Sequence, residues 1–328
     1  MRILAVDDDP IILDVLTEVL ATLGHTDVTV AESAAEALQK VATPQAFDCI
    51  LLDVQMPNMD GIQLCSALRN MRRYERTPIL MITAMSDKSY IDRAFAAGAT
   101  DYVTKPFDIQ EIGARVRVAE TLVTERRNLT DKVSVVKKIR DTQTAQKTFS
   151  LLDRIPVRDV DGVIEFIALE NYILQLSRGS LFGSSVVAFH IPGIERIYEN
   201  ATAFDFQCLI TDVAEAVTDA LRPSQFLVSY GGNGTFVAVV EAGFRPEVAT
   251  LQGEIDDILE GMELCYSDGR PIMFNVKVGA PVRLSLRSGR GAIEALRQAC
   301  SNAEYRDSDA RIGAASRWSL GSLMENTG

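Results

Sequence analysis

Asp7, Asp8, Asp53, Thr83 and Lys105 each stand at or just past the end of a short apolar run. Three carboxylates gathered in one small site repel one another, so some would be protonated unless a cation were present. Carboxylates and carbonyls are hard oxygen ligands that suit Mg²⁺, an ion that commonly keeps waters and takes phosphate oxygens. With a cation to screen it and a dry pocket around it, one carboxylate can act as a nucleophile. A lysine supplies a point charge for a phosphoryl oxygen, and a threonine hydroxyl can hydrogen-bond another. Taken alone, Asp53 could equally cap the turn that follows its strand.

The surrounding elements decide whether these residues meet. Residues 2–6 read as a strand, and Pro10 opens a helix at its first position. That helix carries Ile11, Ile12, Val15, Leu16, Val19, Leu20 and Leu23 at helical spacing, and Gly24 stops it. Residues 28–31 form a second strand. Ser33 with Glu36 is a capping-box pattern for the next helix. Cys49 to Leu52 is a buried strand ending at Asp53. A turn through Pro57, Asn58 and Gly61 leads to a helix reaching about Met71. A fourth strand, 78–82, ends at Thr83, and a fifth, 101–103, ends at Thr104-Lys105-Pro106. A helix over about 88–97 lies between them, and another starts near Asp108. The alternation predicts a parallel sheet with helices on both faces. Its strand ends share one edge, where open α/β sheets gather ligands and chemistry.

In order and spacing, residues 1–120 resemble the receiver domain of bacterial two-component response regulators, a flavodoxin-like fold with a five-stranded parallel sheet. The resemblance implies that Asp53 accepts a phosphoryl group from a histidine kinase or a histidine phosphotransfer protein. Asp7, Asp8, Asp53 and the backbone carbonyl of Gln55 would hold Mg²⁺. Thr83 and Tyr102 would be a switch pair and Lys105 the phosphate-binding lysine, with a cis Lys105-Pro106 bond. The family often has Asn at the position of Gln55, but only the main chain is used there.

Residues 121–154 read as a helical linker. Leu122, Leu129 and Val136 recur at sevens with Val133 beside them, while Arg126 and Arg140 interrupt the seam. Such a helix either pairs in a homodimer or connects two domains in solvent.

A second globular unit is expected over 155–308. It has helix patterns at 165–176, 204–221, 246–259 and 291–305, and strands at 184–191, 225–230, 235–240 and 273–281. Gly231-Gly232-Asn233-Gly234 supplies the positive-φ residues of a tight hairpin. Tyr230-Gly231-Gly232 with Phe236, the strand to Pro281 and the last helix resemble the α+β GGDEF domain of diguanylate cyclases, a nucleotide cyclase-like fold.

Departures from that pattern separate fold from activity. Asn233, Gly234 and Thr235 replace the acidic pair after Gly-Gly, with one extra residue. His190 and Pro192 stand at the metal-binding acidic positions of the preceding strand. Tyr198 and Glu199 match a nucleotide-holding Asn-Asp, and Arg222-Pro223-Ser224-Gln225 keeps only the arginine of the product-inhibition motif. A neutral histidine is a poor Mg²⁺ ligand. The expectation is a degenerate, non-catalytic output unit that contacts another protein. The alternative is a divergent cyclase or nucleotide-binding domain under receiver control.

The 328 residues suffice for two domains, and 47% hydrophobic with 24% charged residues is a soluble globular balance. A net charge of −12 argues against a DNA-binding surface. No apolar run approaches a membrane span, and the first residues enter a strand at once, so neither membrane nor signal peptide is expected. Five scattered cysteines without a CxxC pair suit a reducing cytoplasm. The two histidines, His25 and His190, have no Ser or Cys partner at readable spacing. Residues 309–328 are a polar tail containing Trp318.

Overall fold

The computed structural model describes residues 1–85, 87–139, 149–181, 183–222, 224–241, 247–284, 289 and 291–304. The chain forms two compact units: Met1–Thr144 with Ile167–Gln175, and Ala145–Phe166 with Leu176–Gly328.

In the first unit, strands β1 (Ile3–Val6), β2 (Val28–Ala31), β3 (Cys49–Leu52), β4 (Ile79–Thr83) and β5 (Asp101–Thr104) alternate with helices α1 (Pro10–Thr22), α2 (Ala34–Val41), α3 (Gly61–Arg69), α4 (Lys88–Ala96) and α5 (Ile109–Ile139). All strand pairs are parallel, in the order β2-β1-β3-β4-β5. Parallel neighbours need a crossover, and α1 to α4 supply the four, while α5 follows the last strand. β1, β3 and β4 are buried along their whole length, as strands covered on both faces must be. Ile3, Ala5, Cys49, Leu51, Leu80, Ile82 and Val103 point to one face and pack with Leu13, Leu16 and Leu20 of α1 and Ile112 and Val116 of α5. The alternate residues serve the opposite face.

Local caps hold the helices in register. The Asp9 carboxylate accepts from Ile11 N and precedes Pro10. Ser33 Oγ accepts from Glu36 N, while the Glu36 carboxylate takes the Glu32 N–H, one residue before the cap that the sequence pattern implies. Asp60 and Gln63 close a reciprocal capping box at α3. α5 runs unbroken to Ile139. The expected seam of Leu129, Val133 and Val136, with Arg140, lies outside the described side chains.

The second unit contains α7 (Arg178–Leu181), β6 (Ser185–His190), α8 (Ile194–Asn200), α9 (Ala203–Leu221), β7 (Phe226–Gly232), β8 (Thr235–Val240), α10 (Val248–Gly261), β9 (Lys277–Val278), β10 (Val282–Arg283) and a last helix, α11, over 291–304. Its sheet runs β10-β6-β8-β7, with β9 also pairing β6, and every pairing between these strands is antiparallel. Phe189, Val228, Phe236 and Ala238 pack with Phe206, Leu209, Val213 and Val217 of α9 and Leu251 and Ile255 of α10. The strand expected over 273–281 shrinks to β9. The chain before it turns back on itself instead: Tyr266 N donates to Arg270 O, Cys265 bridges Pro271, and Met273 is 86% exposed. Pro246 and the tail containing Trp318 lie outside the described residues.

Between α5 and α7 comes α6 (Phe166–Gln175). The sequence places it inside the second globular region, whereas residues 167–175 group with the first unit.

Candidate functional site

The strand order reverses direction between β1 and β3, and ligands of open α/β sheets sit at that switch point, beyond the strand carboxyl ends. Asp7 and Asp8 follow β1 and Asp53 follows β3. Ligand oxygens of the three lie within 4.8 Å of one another. Asp7 and Asp53 are buried, at 2% and 4% exposure, while Asp8 is exposed at the rim. Lys105, past β5, reaches across the edge. Its Nζ donates to Asp7 Oδ2 at 2.6 Å and to Asp53 Oδ1 at 3.1 Å.

These contacts set the charge balance. Burial pushes the Asp53 carboxyl above the ordinary aspartate range, against the pull of the Lys105 ammonium. The Gln55 backbone N–H, two residues on, also steadies the Asp53 carboxylate. Burial draws the Lys105 ammonium down, but the hydrogen bond to Asp7 and the two carboxylate charges hold it above the usual lysine value. The donor set fits Mg²⁺: three hard carboxylates, two of them buried, converge at one place with a single lysine to neutralise them.

Thr83, at the end of β4, is fully buried, and its Oγ1 accepts from Met85 N at 3.3 Å. Tyr102 is fully buried in β5, and its hydroxyl donates to Met85 O at 2.5 Å. Burial pushes the Tyr102 hydroxyl well up, so it stays a neutral donor. The two side chains meet at the main chain of Met85, three residues before α4 begins. Sequence reasoning paired Thr83 with Tyr102 but missed Met85, because only its backbone is used and no side-chain signal marks it. The Lys105-Pro106 bond is cis.

Gly61 sits in the turn the sequence predicts, for a reason the sequence does not carry. A Cβ there would lie 1.9 Å from the Asp53 carbonyl oxygen, so the start of α3 can press against Asp53 only without a side chain. Gly61 N also donates to Val54 O.

The sequence profile described as "Response regulator receiver domain" matches residues 3–117. The N-terminal region is a response regulator receiver domain. Among curated relatives, the "DNA-binding dual master transcriptional regulator RpaA" of Synechocystis sp. is 40% identical over 116 residues, 35% of this chain and 47% of the relative. The "Heme response regulator HssR" of Staphylococcus aureus is 41% identical over 117 residues, 36% of this chain and 50% of the relative. The chain thus spans about half the length of the curated relatives it matches. Among solved structures, the Vibrio cholerae chemotaxis protein CheY4 is 33% identical, covering 36% of this chain and 97% of its own, with a TM-score of 0.34. The receiver domain of sensor histidine kinase PA1611 from Pseudomonas aeruginosa, described with a magnesium ion coordinated in its active-site cleft, is 28% identical, covering 38% of this chain and 97% of its own, with a TM-score of 0.34. Among the described residues, no helix of this chain is long and apolar enough to cross a membrane.

In the second unit, His190 and Thr235 pair across β6 and β8, with His190 Nδ1 and Thr235 Oγ1 2.9 Å apart. Thr235 Oγ1 also donates to Glu304 Oε1 of α11 at 3.3 Å. Tyr198 donates to Phe149 O, and its ring packs with Phe149 and Phe206. The hairpin tip is Asn233-Gly234, both at positive φ. Asn233 N donates to Leu151 O, and a Cβ on Gly232 would lie 2.5 Å from the Leu152 carbonyl oxygen.

Proposed function

We propose that Asp53 of the receiver accepts a phosphoryl group from the phosphohistidine of a histidine kinase or phosphotransfer protein. The observation that carries this reading is the convergence of Asp7, Asp8, Asp53 and Lys105 on one sheet edge. An Asp53 carboxylate oxygen attacks phosphorus. The P–N bond to the donor imidazole breaks, and the leaving nitrogen keeps the electron pair and takes a proton. Lys105 faces the charge that builds on the phosphoryl oxygens, and the Thr83 hydroxyl can donate to one of them. Asp7, Asp8, Asp53 and the Gln55 carbonyl would hold Mg²⁺, which supplies charge neutralisation and a template for the phosphoryl oxygens.

The output would be a degenerate GGDEF-like unit over 155–308 that works through protein contacts rather than catalysis. Three features support this. His190 and Thr235 are bonded to one another where an active relative would place metal-holding acids. The hairpin glycines accommodate this chain's own residues 151–152, where the related domains hold phosphates. Ile194 of α8 packs against Gly234, while Glu195 and Glu199 line a separate cleft with Pro192 and Met273.

Incubation of the full chain with acetyl phosphate and Mg²⁺ should add one phosphate by intact-mass spectrometry, and Asp53→Asn should abolish it. Undiminished labelling of that variant would refute the assignment.

A further inference from the structure

Residues 167–175 of α6 rest on the receiver through two polar anchors that lie on different elements. The Asn171 side-chain amide, 8% exposed, donates to the Thr100 backbone oxygen at 2.9 Å, immediately before β5. The Tyr172 hydroxyl, on a side chain 4% exposed, donates to Asp92 Oδ1 of α4 at 2.8 Å. Its ring meets Phe95 of α4 edge-on, with centroids 5.5 Å apart. Leu169 and Ile173 are buried alongside. Apolar residues alone would tolerate a slipped helix. A buried amide and a buried phenol that each need one partner do not, because an unmade hydrogen bond in the interior is costly.

We infer that residues 167–175 are an intramolecular latch over the α4–β5 surface of the receiver, and that phosphorylation weakens it. The second clause rests on the reading of Asp53 as phosphoacceptor. Thr100 N donates to Ile79 O of β4, so the Thr100 anchor is tied to the sheet rather than to α4. α4 starts at Lys88, just after the loop whose Met85 main chain is held by Thr83 and by Tyr102. A phosphoryl group on Asp53 offers the Thr83 hydroxyl a charged acceptor and draws it from Met85. Any resulting shift of α4 changes the spacing of Asp92 and Phe95 from Thr100. The latch spans both anchors at their present spacing, so such a shift loosens it. While the latch is docked, this chain itself occupies the α4–β5 surface and keeps other partners off it. Once released, the same segment pulls on Phe166 and Leu176, its covalent neighbours in the second unit.

The test is amide hydrogen exchange, read by mass spectrometry on the full-length protein with Mg²⁺, with and without beryllofluoride, a phosphoryl mimic. Tyr172→Phe keeps the ring and removes the anchor to Asp92. It should raise exchange of amides 167–175 about tenfold without beryllofluoride and leave β1 and β3 unchanged. Beryllofluoride should raise exchange of the same amides in the native sequence by about 5- to 150-fold. By reciprocity, Tyr172→Phe should tighten beryllofluoride binding, by at most the factor by which the mimic loosens the latch. Asp92→Asn weakens the same contact from the receiver side by making its acceptor neutral, and it also removes the ion pair with Lys88. If Asp53 takes label from acetyl phosphate while exchange at 167–175 is unmoved by beryllofluoride, the switching inference is overturned and the phosphoacceptor reading stands. If no label appears, the phosphoacceptor reading falls and the switch with it. Unaltered exchange in both Tyr172→Phe and Asp92→Asn would overturn the latch itself.

Discussion

On the proposed phosphoacceptor reading, Lys105 has two roles that pull in opposite directions. Its ammonium already lies between Asp7 and Asp53, so it occupies part of the electrostatic space a divalent cation would use. On that reading it also faces the position where phosphoryl charge would develop. Lys105→Met keeps the stem and removes the charge. Mg²⁺ affinity should then rise roughly tenfold, because a nearby positive charge no longer repels the ion. Acetyl phosphate labelling should slow by about 10²- to 10³-fold, the usual cost of losing one preorganised electrostatic donor. A parallel fall in both quantities would mean that Lys105 only holds the loop in place. Gly61 shows the complementary case of a residue that acts by lacking atoms. It lets the first turn of α3 lie against the Asp53 carbonyl, and no substitution to a larger residue preserves that approach.

At the scale of elements, the N-terminus of α9 is tied down twice. Thr202 and Asp205 form a capping box, and Asp205 Oδ1 also accepts from Ser267 N and from the Ser267 hydroxyl. The Ser267 hydrogen bond, more than the opposing burial, lowers the Asp205 carboxyl to about 2 from an ordinary 3.8. A carboxyl lowered by folding contributes stability that is present above its unfolded value and lost as pH falls through its folded value. Asp205→Asn should therefore lower the urea midpoint of the second unit at pH 5 to 7. The gap from the native sequence should close as pH is brought from about 4 towards 2. A gap independent of pH would assign the effect to geometry rather than charge. The β7–β8 hairpin is held at its tip by another part of the same unit. Asn233 and Gly234 make the tight turn at positive φ, and Asn233 N donates to Leu151 O.

Across the whole chain, a receiver domain is joined to a second unit that, on the proposed GGDEF-like reading, lacks the metal-holding carboxylates of a cyclase. Two-metal phosphoryl transfer needs carboxylates to fix both ions. On that reading His190, Pro192, Asn233, Gly234 and Thr235 would occupy those places, and displacements of about 1 Å can cost a hundredfold in rate. The full-length, phosphorylated protein should therefore convert no GTP to cyclic dinucleotide with Mg²⁺ or Mn²⁺. Chromatography showing product above a heat-unfolded sample would restore the cyclase reading.

What the sequence determined by itself was local or periodic. Apolar runs, helical spacing and caps act over at most a few residues, so β1, β3, β4, α1 and α9 could be read directly. The site was legible too, because strand–helix alternation forces successive strand ends to one edge and brings Asp7, Asp53 and Lys105 together. Tertiary structure alone decided the contacts between residues far apart in the chain. Asn171 and Thr100 are 71 residues apart, and Tyr172 and Asp92 are 80 apart, so no window along the chain could pair them. A helix at 165–176 was evident from its apolar spacing, but not which body it would join, since an apolar stripe specifies burial and not a partner. The same limit applies to residues 273–281. Strand propensity was visible there, and whether a neighbouring strand was available to pair with was not.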